Sequence, residues 1–268
     1  MTSEQPPKIS CQLCGGTHPT DEHETQARPE SPPDQQERTT NVAPEDLNYD
    51  RYETEKYDDD IRRSIPGYEE MHKEIDDVVT EYVENNKVDN VLDLGVGTGL
   101  TAERLLKFTP DATLTAVDFS AQMMKGAEKR LTYAKAKFLI GDYSEIDFGK
   151  DYEVVVSVIG LHHQNDEGKK KMFQRIYDAL KPGGIFIFGD LVTYKDPKKA
   201  TTNEEKHFQF LRENARDEQS LKEWEEHHRE KNLLAPIEDQ IEWLKEAGFS
   251  EVEVKFEHLN TALIVAKK

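Results

Sequence analysis

The segment Val91-Leu92-Asp93-Leu94-Gly95-Val96-Gly97-Thr98-Gly99 holds an aspartate followed by three alternating glycines. Glycines in such a turn let backbone N–H groups approach a ligand at a helix N-terminus. A turn of this kind serves several nucleotide cofactors, including NAD, so two details have to narrow it. Leu100 stands where the third glycine of a dinucleotide fingerprint would fall. Asp93 would repel a pyrophosphate, whereas the ammonium and sulfonium of S-adenosylmethionine (SAM) would be attracted to it. Asp118 follows nineteen residues after Gly99 and can accept hydrogen bonds from both hydroxyls of a ribose. Gly141-Asp142 comes next, where an adenine edge would lie. Any one of these aspartates would also suit a helix cap. Three of them ending successive strands on one sheet edge define a ligand crevice.

Chemistry at such a crevice asks little of the protein. Transfer of a methyl group from a sulfonium is an in-line displacement whose electrophile comes from the cofactor, so the chain must position and desolvate the acceptor. A base is needed only when the nucleophile begins protonated. His162 and His163 follow the fourth strand, where an acceptor would approach; either could be that base or bind a substrate oxygen, or both simply cap the strand end. His207, His227 and His228 fall in a highly charged stretch and are expected to face solvent. Near the N-terminus, Cys11-x-x-Cys14 precedes His18 and His23, with Gly15 and Gly16 allowing a tight turn. That spacing fits a structural zinc knuckle, with a redox pair and incidental cysteines as the alternatives.

The elements that must position these residues are legible from Asn90 onward. Short β-rich runs at Asn90–Leu94, Thr113–Val117, Lys137–Ile140, Glu153–Val158 and Ile185–Phe188 alternate with helical patterns. Ser120 is placed to cap one helix, and Lys181-Pro182-Gly183-Gly184 marks the end of another. A last helix, Glu238–Ala247, leads to strands Glu251–Phe256 and Thr261–Ala266. This rhythm predicts an α/β fold: a mostly parallel seven-stranded sheet with helices on both faces. Met71, Ile75, Val78, Val79, Tyr82 and Val83 recur at helical spacing, so a packed helix opens the domain. The charged insertion Leu191–Pro236 carries only a thin apolar stripe and is expected to lie as a helical lid over the carboxyl edge of the sheet. Residues 1–24 are assigned to the knuckle segment, 25–47 to a disordered linker and 48–268 to the catalytic domain.

Around the glycine loop the chain resembles the class I SAM-dependent methyltransferases over about Tyr49 to Lys268. The resemblance runs closest to the branch that includes the carboxy-SAM synthase of tRNA wobble-uridine modification. The pieces that carry it are Arg63-Ser64-Ile65-Pro66-Gly67-Tyr68, the glycine loop, Val117-Asp118-Phe119-Ser120, Leu180-Lys181-Pro182-Gly183-Gly184 and Glu246-Ala247-Gly248-Phe249. It implies the Rossmann-like methyltransferase fold. It also implies a cofactor site of Tyr68, Gly95, Val96, Gly97, Asp118, Phe119, Asp142, Tyr143 and Ser157, to which the residue pattern adds Asp93 and Gly99. Arg229 falls near the arginine that would hold the extra carboxylate of carboxy-SAM, and in a synthase-like activity prephenate would supply that carboxyl group. The expected function is methyl transfer from SAM to a small-molecule acceptor. Alternatives are the synthase-like enzyme and a SAM-binding regulator whose knuckle recruits a protein partner.

Composition limits the partners. The 268 residues include 54 acidic and 35 basic side chains, a net charge of −19, which disfavours broad adhesion to nucleic acid or anionic lipid. The Lys169-Lys170-Lys171 cluster is expected to be a solvated face. Seven of the twelve prolines and both cysteines fall within residues 1–47, a segment too poor in large apolar side chains to offset its ordering entropy. No apolar run has the length of a membrane span or signal-peptide core, and a cytoplasmic location is expected.

Overall fold

In the computed structural model, which describes residues 41–47, 49–51 and 53–268, the described chain falls within one unit, Arg38–Lys268. Strands β1 (Asn90–Leu94), β2 (Thr113–Asp118), β3 (Lys135–Ile140), β4 (Tyr152–Val158), β5 (Leu180–Leu191), β6 (Glu251–His258) and β7 (Thr261–Lys267) form one sheet in the order β3-β2-β1-β4-β5-β7-β6. The first five pair in parallel, and β7 runs antiparallel between β5 and β6. Central strands β1 and β4 are buried almost end to end, because helices cover both of their faces. Edge strands β3 and β6 are largely exposed.

Ahead of the sheet come α1 (Pro44–Leu47), a 3-10 turn at Tyr49–Arg51, α2 (Thr54–Ser64) and α3 (Tyr68–Asn85). Between strands lie α4 (Leu100–Phe108), α5 (Ala121–Arg130) and α6 (Asp166–Ala179). After β5 follow α7 (Pro197–Asn214), α8 (Glu218–Lys231) and α9 (Ile237–Glu246). Met71, Ile75 and Val79 of α3 pack with Leu105 of α4 and Ala127 of α5 on one face of the sheet. Phe173 and Ile176 of α6 pack with Leu244 of α9 and with Phe186 and Phe188 on the other. Helix starts follow side-chain caps: Ser120 accepts from the Met123 N–H, Asn165 from Gly168, Asp196 from Lys199 and Asp217 from Ser220.

Two segments differ from expectation. Asn41–Leu47, assigned to the linker, is docked: the Val42 N–H donates to the His163 carbonyl at 3.0 Å and Leu47 is buried. Lys169 is not on a solvated face. It is fully buried in the first turn of α6, where its ammonium donates to the carbonyls of Gln164 and Leu233. The expected knuckle residues Cys11, Cys14, His18 and His23 lie outside the described residues. No helix among the described residues is long and apolar enough to cross a membrane.

Candidate functional site

The strand order reverses direction between β1 and β4, and there the carboxyl ends of the strands open into a crevice. Gly95 and Gly97 take φ values of +78° and +56°, which turns the loop after β1 so that its amides face β2. The Gly95 and Val96 N–H groups donate to the Val117 carbonyl, each at 2.9 Å. Asp118 fixes the loop from the other side: one carboxyl oxygen accepts from the Gly97 N–H and the other from the Ser120 N–H, both at 2.8 Å. Gly99 precedes α4 at φ +86°, a backbone conformation that favours glycine, and a Cβ there would stand a tight 3.3 Å from the Ala127 Cα.

Gly95, Gly97, Asp118, Phe119, Asp142 and Tyr143 line this crevice, an open space of about 650 Å³ that is continuous with solvent. The other expected cofactor residues stand behind it. Val96 is buried, and Ser157 donates its hydroxyl to the Leu94 carbonyl at 2.9 Å, tying β4 to the end of β1. Tyr68 is turned into the core on α3, with its ring 4.3 Å from that of His72. Asp93 is sealed beneath the glycine loop, and its Oδ2 has no hydrogen-bond partner among the described residues. Burial and the nearby Asp118 push its carboxyl up to about 8; burial raises Asp118 to about 6, against the N–H groups that favour its ionised form.

Sequence patterns gave no hint of the crevice's outer wall. Leu47, Tyr49 and Tyr57, from the segment that precedes the sheet, supply it. Asp50 anchors that segment by accepting from the Ser120 hydroxyl at 2.6 Å and from the Gln122 N–H at 3.2 Å. Ile159 lies between this crevice and a second one, and holds a φ of +53° that a β-branched residue rarely adopts. Its N–H donates to the Gly189 carbonyl at 2.8 Å.

The second crevice, also about 650 Å³ of open space, shares Tyr49, Tyr57 and Ile159 with the first. Its other walls are Asp60 and Ile61 of α2, Leu191 at the end of β5, and lid residues including Leu211, Glu223 and Trp224. His207, His227 and His228, expected to face solvent, all line it. They turn inward because the lid finds polar partners there: His207 Nδ1 pairs with Asn260 Oδ1 at 2.6 Å, and His228 Nε2 with Glu204 at 3.1 Å. The lid is fastened to α2 by Arg216, which reaches Asp60 at 2.7 Å.

His162 and His163 sit in a buried 3-10 turn directly after β4. His162 Nδ1 lies 2.5 Å from Asp190 Oδ1, and burial pushes its imidazole down to about 3. A ring held that low is a weak proton acceptor. Burial likewise holds His163 and His227 well below the ordinary histidine value. Arg229 lies outside both crevices: its side chain is 57% exposed, 3.8 Å from Glu225, with its guanidinium 4.0 Å over the Phe208 ring.

A glycine loop at the reversal of a β3-β2-β1-β4-β5-β7-β6 sheet, with acidic strand ends beside it, is the class I SAM-dependent methyltransferase fold. The description "Methyltransferase domain" matches residues 91–184. The carboxy-S-adenosyl-L-methionine synthase of Nautilia profundicola is 26% identical over 226 residues, covering 83% of this chain and 94% of that protein. The synthase of Helicobacter hepaticus is 29% identical over 229 residues, covering 83% and 95%. Among solved structures, the CurJ carbon methyltransferase matches with a TM-score of 0.58 at 18% identity, over 79% of this chain and 57% of that one. Human N-acetylserotonin methyltransferase in complex with SAM matches with a TM-score of 0.51 at 18% identity, over 72% and 51%. The chain thus spans little more than half the length of these solved structures, and the likeness concerns the fold. The chain has the class I SAM-dependent methyltransferase fold, matches a methyltransferase domain over residues 91–184, and is similar in sequence to the carboxy-SAM synthases.

The site fits SAM on its own geometry. A buried carboxyl with an unpartnered oxygen lies beneath the loop, and the crevice above it is edged by acidic strand ends. Asp118→Ala is expected to weaken SAM binding by about 1–3 kcal/mol, since charge-assisted hydrogen bonds to the ribose are lost and the Gly97 amide loses its anchor. Calorimetric titration checks this; an unchanged affinity in a folded variant would take Asp118 out of the cofactor site.

Proposed function

We propose that this enzyme transfers the methyl group of SAM to a small-molecule acceptor held in the second crevice, with Gly95, Gly97, Asp118, Phe119, Asp142 and Tyr143 contacting the cofactor. The observation that carries this is the chemistry of the walls. Among the described residues that line the two crevices there is no lysine or arginine, and burial holds His162, His163, His207 and His227 below the ordinary histidine value. A carboxylate on the transferred carbon needs a fixed cation, best met by an arginine giving two parallel hydrogen bonds. Arg229, the candidate for that role, is instead engaged with Glu225 and Phe208 on the outside of the lid.

The synthase-like reading draws on a different observation, the curated relatives over 83% of the chain that carry the synthase name. Mass spectrometry of the nucleoside that co-purifies with the chain separates the two. The expected result is SAM or its demethylated product, with Arg229→Ala keeping SAM affinity within about twofold. Carboxy-SAM retained by the wild type and lost in Arg229→Ala would make the synthase-like reading the better one. The regulator reading rests on Cys11, Cys14, His18 and His23, and nothing in the described residues or the relatives supports it.

A further inference from the structure

We propose that His162, His163 and His227 form a divalent-metal site at the partition between the two crevices, and that the acceptor is a hydroxyl or thiol compound that completes its coordination. This rests on the methyl-transfer reading and names the substrate class for it. One ligand nitrogen from each of the three rings lies within 4.8 Å of the others. His163 lines the cofactor crevice, while His162 and His227 line the acceptor crevice, so the cluster stands where the two ligands meet.

Proximity of three histidines is by itself also compatible with packed neutral rings. The outer hydrogen bonds point further. A metal-bound histidine commonly donates its remaining ring N–H to a carboxylate or a backbone carbonyl, which fixes the tautomer and aims the other nitrogen. Both arrangements are present: His162 Nδ1 is held by Asp190 at 2.5 Å, and His163 Nδ1 donates to the Lys231 carbonyl at 2.9 Å. Each ring is left with Nε2 as its acceptor nitrogen. The Tyr49 hydroxyl lies 3.3 Å from His163 Nε2, as a donor that an incoming metal would replace. Asp190 is itself locked by the backbone N–H groups of His162 and Leu191, at 2.9 and 2.8 Å. His227 comes from α8, with its ring centre 5.3 Å from that of His163.

Zinc–nitrogen bonds of about 2.0–2.1 Å in tetrahedral geometry set the ligand nitrogens about 3.4 Å apart. Closure from 4.8 Å therefore needs a shift of little more than about 1 Å, which the lid helix can supply. Three imidazoles suit zinc and leave a fourth position for an acceptor oxygen or sulfur. At that position the O–H or S–H bond breaks and its proton passes to water in the open second crevice. The heteroatom's electron pair then attacks the methyl carbon, the carbon–sulfonium bond breaks, and its pair stays on sulfur as a neutral thioether.

The test uses Co2+ as a spectroscopic probe in the full chain carrying Cys11→Ser and Cys14→Ser, so that the N-terminal cysteines contribute nothing. About one Co2+ per chain is expected, with visible ligand-field bands and no thiolate charge-transfer absorption. Adding His227→Ala should weaken Co2+ binding at least tenfold, and His227→Gln, which keeps most of the volume, covers the case in which alanine unfolds the lid. No Co2+ uptake by the double-serine chain, or uptake unchanged by His227→Gln and His163→Gln, would overturn the site. SAM titrated into the metal-free chain separates the two claims: binding of SAM without uptake of Co2+ overturns the metal site alone.

Discussion

Lys169→Ala is expected to lower the unfolding free energy by about 3–5 kcal/mol, because it removes the charged group of a buried network and leaves a cavity behind. Burial lowers the Lys169 ammonium and raises the carboxyl of Asp190, while the attraction between the two opposes both shifts. The ammonium donates to the carbonyl of Gln164 ahead of α6 and, at 2.5 Å, to that of Leu233 near the end of the lid. Leu233 in turn donates its N–H to the His162 carbonyl at 2.7 Å. One side chain thus joins the end of the lid to the turn that carries two of the crevice histidines. Alanine strands both carbonyls away from water and removes the charge opposite Asp190. Lys169→Met keeps most of the volume and should lose less, which isolates the polar share. Urea unfolding measures both; a loss below about 1 kcal/mol for alanine would mean that water already reaches the ammonium.

The affinity for SAM should rise about tenfold per pH unit between about pH 6 and 8 and level off above that. Asp93, pushed up to about 8 from 3.8 by burial and by Asp118, is protonated in the ligand-free chain at neutral pH. An acid whose folded pKa is raised keeps its proton where the unfolded chain has released it, so its contribution to stability falls as pH rises from 3.8 to about 8. A ligand bearing an ammonium and a sulfonium favours the ionised carboxyl and expels the proton. Binding therefore strengthens with pH until the proton is already gone. Titration calorimetry in two buffers of different ionisation enthalpy counts the released protons, and Asp93→Asn should flatten the profile. A flat profile in the wild type would show that Asp93 does not sense the cofactor's charge.

What could be read from the sequence was set by local chemistry. The loop glycines, Asp118 and the Ser120 cap each depend on a few neighbouring residues, and each stands where its residue type demands. The strands could be read because β1 and β4 are covered on both faces and so are continuously apolar. Lys169, His207 and His228 were misplaced for the opposite reason: their burial depends on Leu233, Asn260 and Glu204, partners that no spacing rule supplies. Tyr49 and Tyr57 precede the sheet and stand in no glycine turn at a strand end that would mark a crevice wall. Asp93 was read as a ligand contact, whereas the turn of Gly95 and Gly97 puts it one layer below.

The floor of the site and its walls come from different parts of the chain. Hydrogen-bonded strand ends make the floor, whereas residues 41–64 and the lid, which flank the sheet's parallel core on either side in sequence, make the walls. The walls are held to the floor by scattered bonds such as that of the Ser120 hydroxyl to Asp50, the Val42 N–H to the His163 carbonyl and the Lys169 ammonium to the Leu233 carbonyl. Substitutions in either flank can therefore remould the acceptor chamber while the strand register, and with it the grip on the cofactor, stays as it is. For this architecture, a change of substrate is a matter of exchanging two covers over a common platform, and descendants of one ancestor could diverge in what they methylate without relearning how to hold the methyl donor.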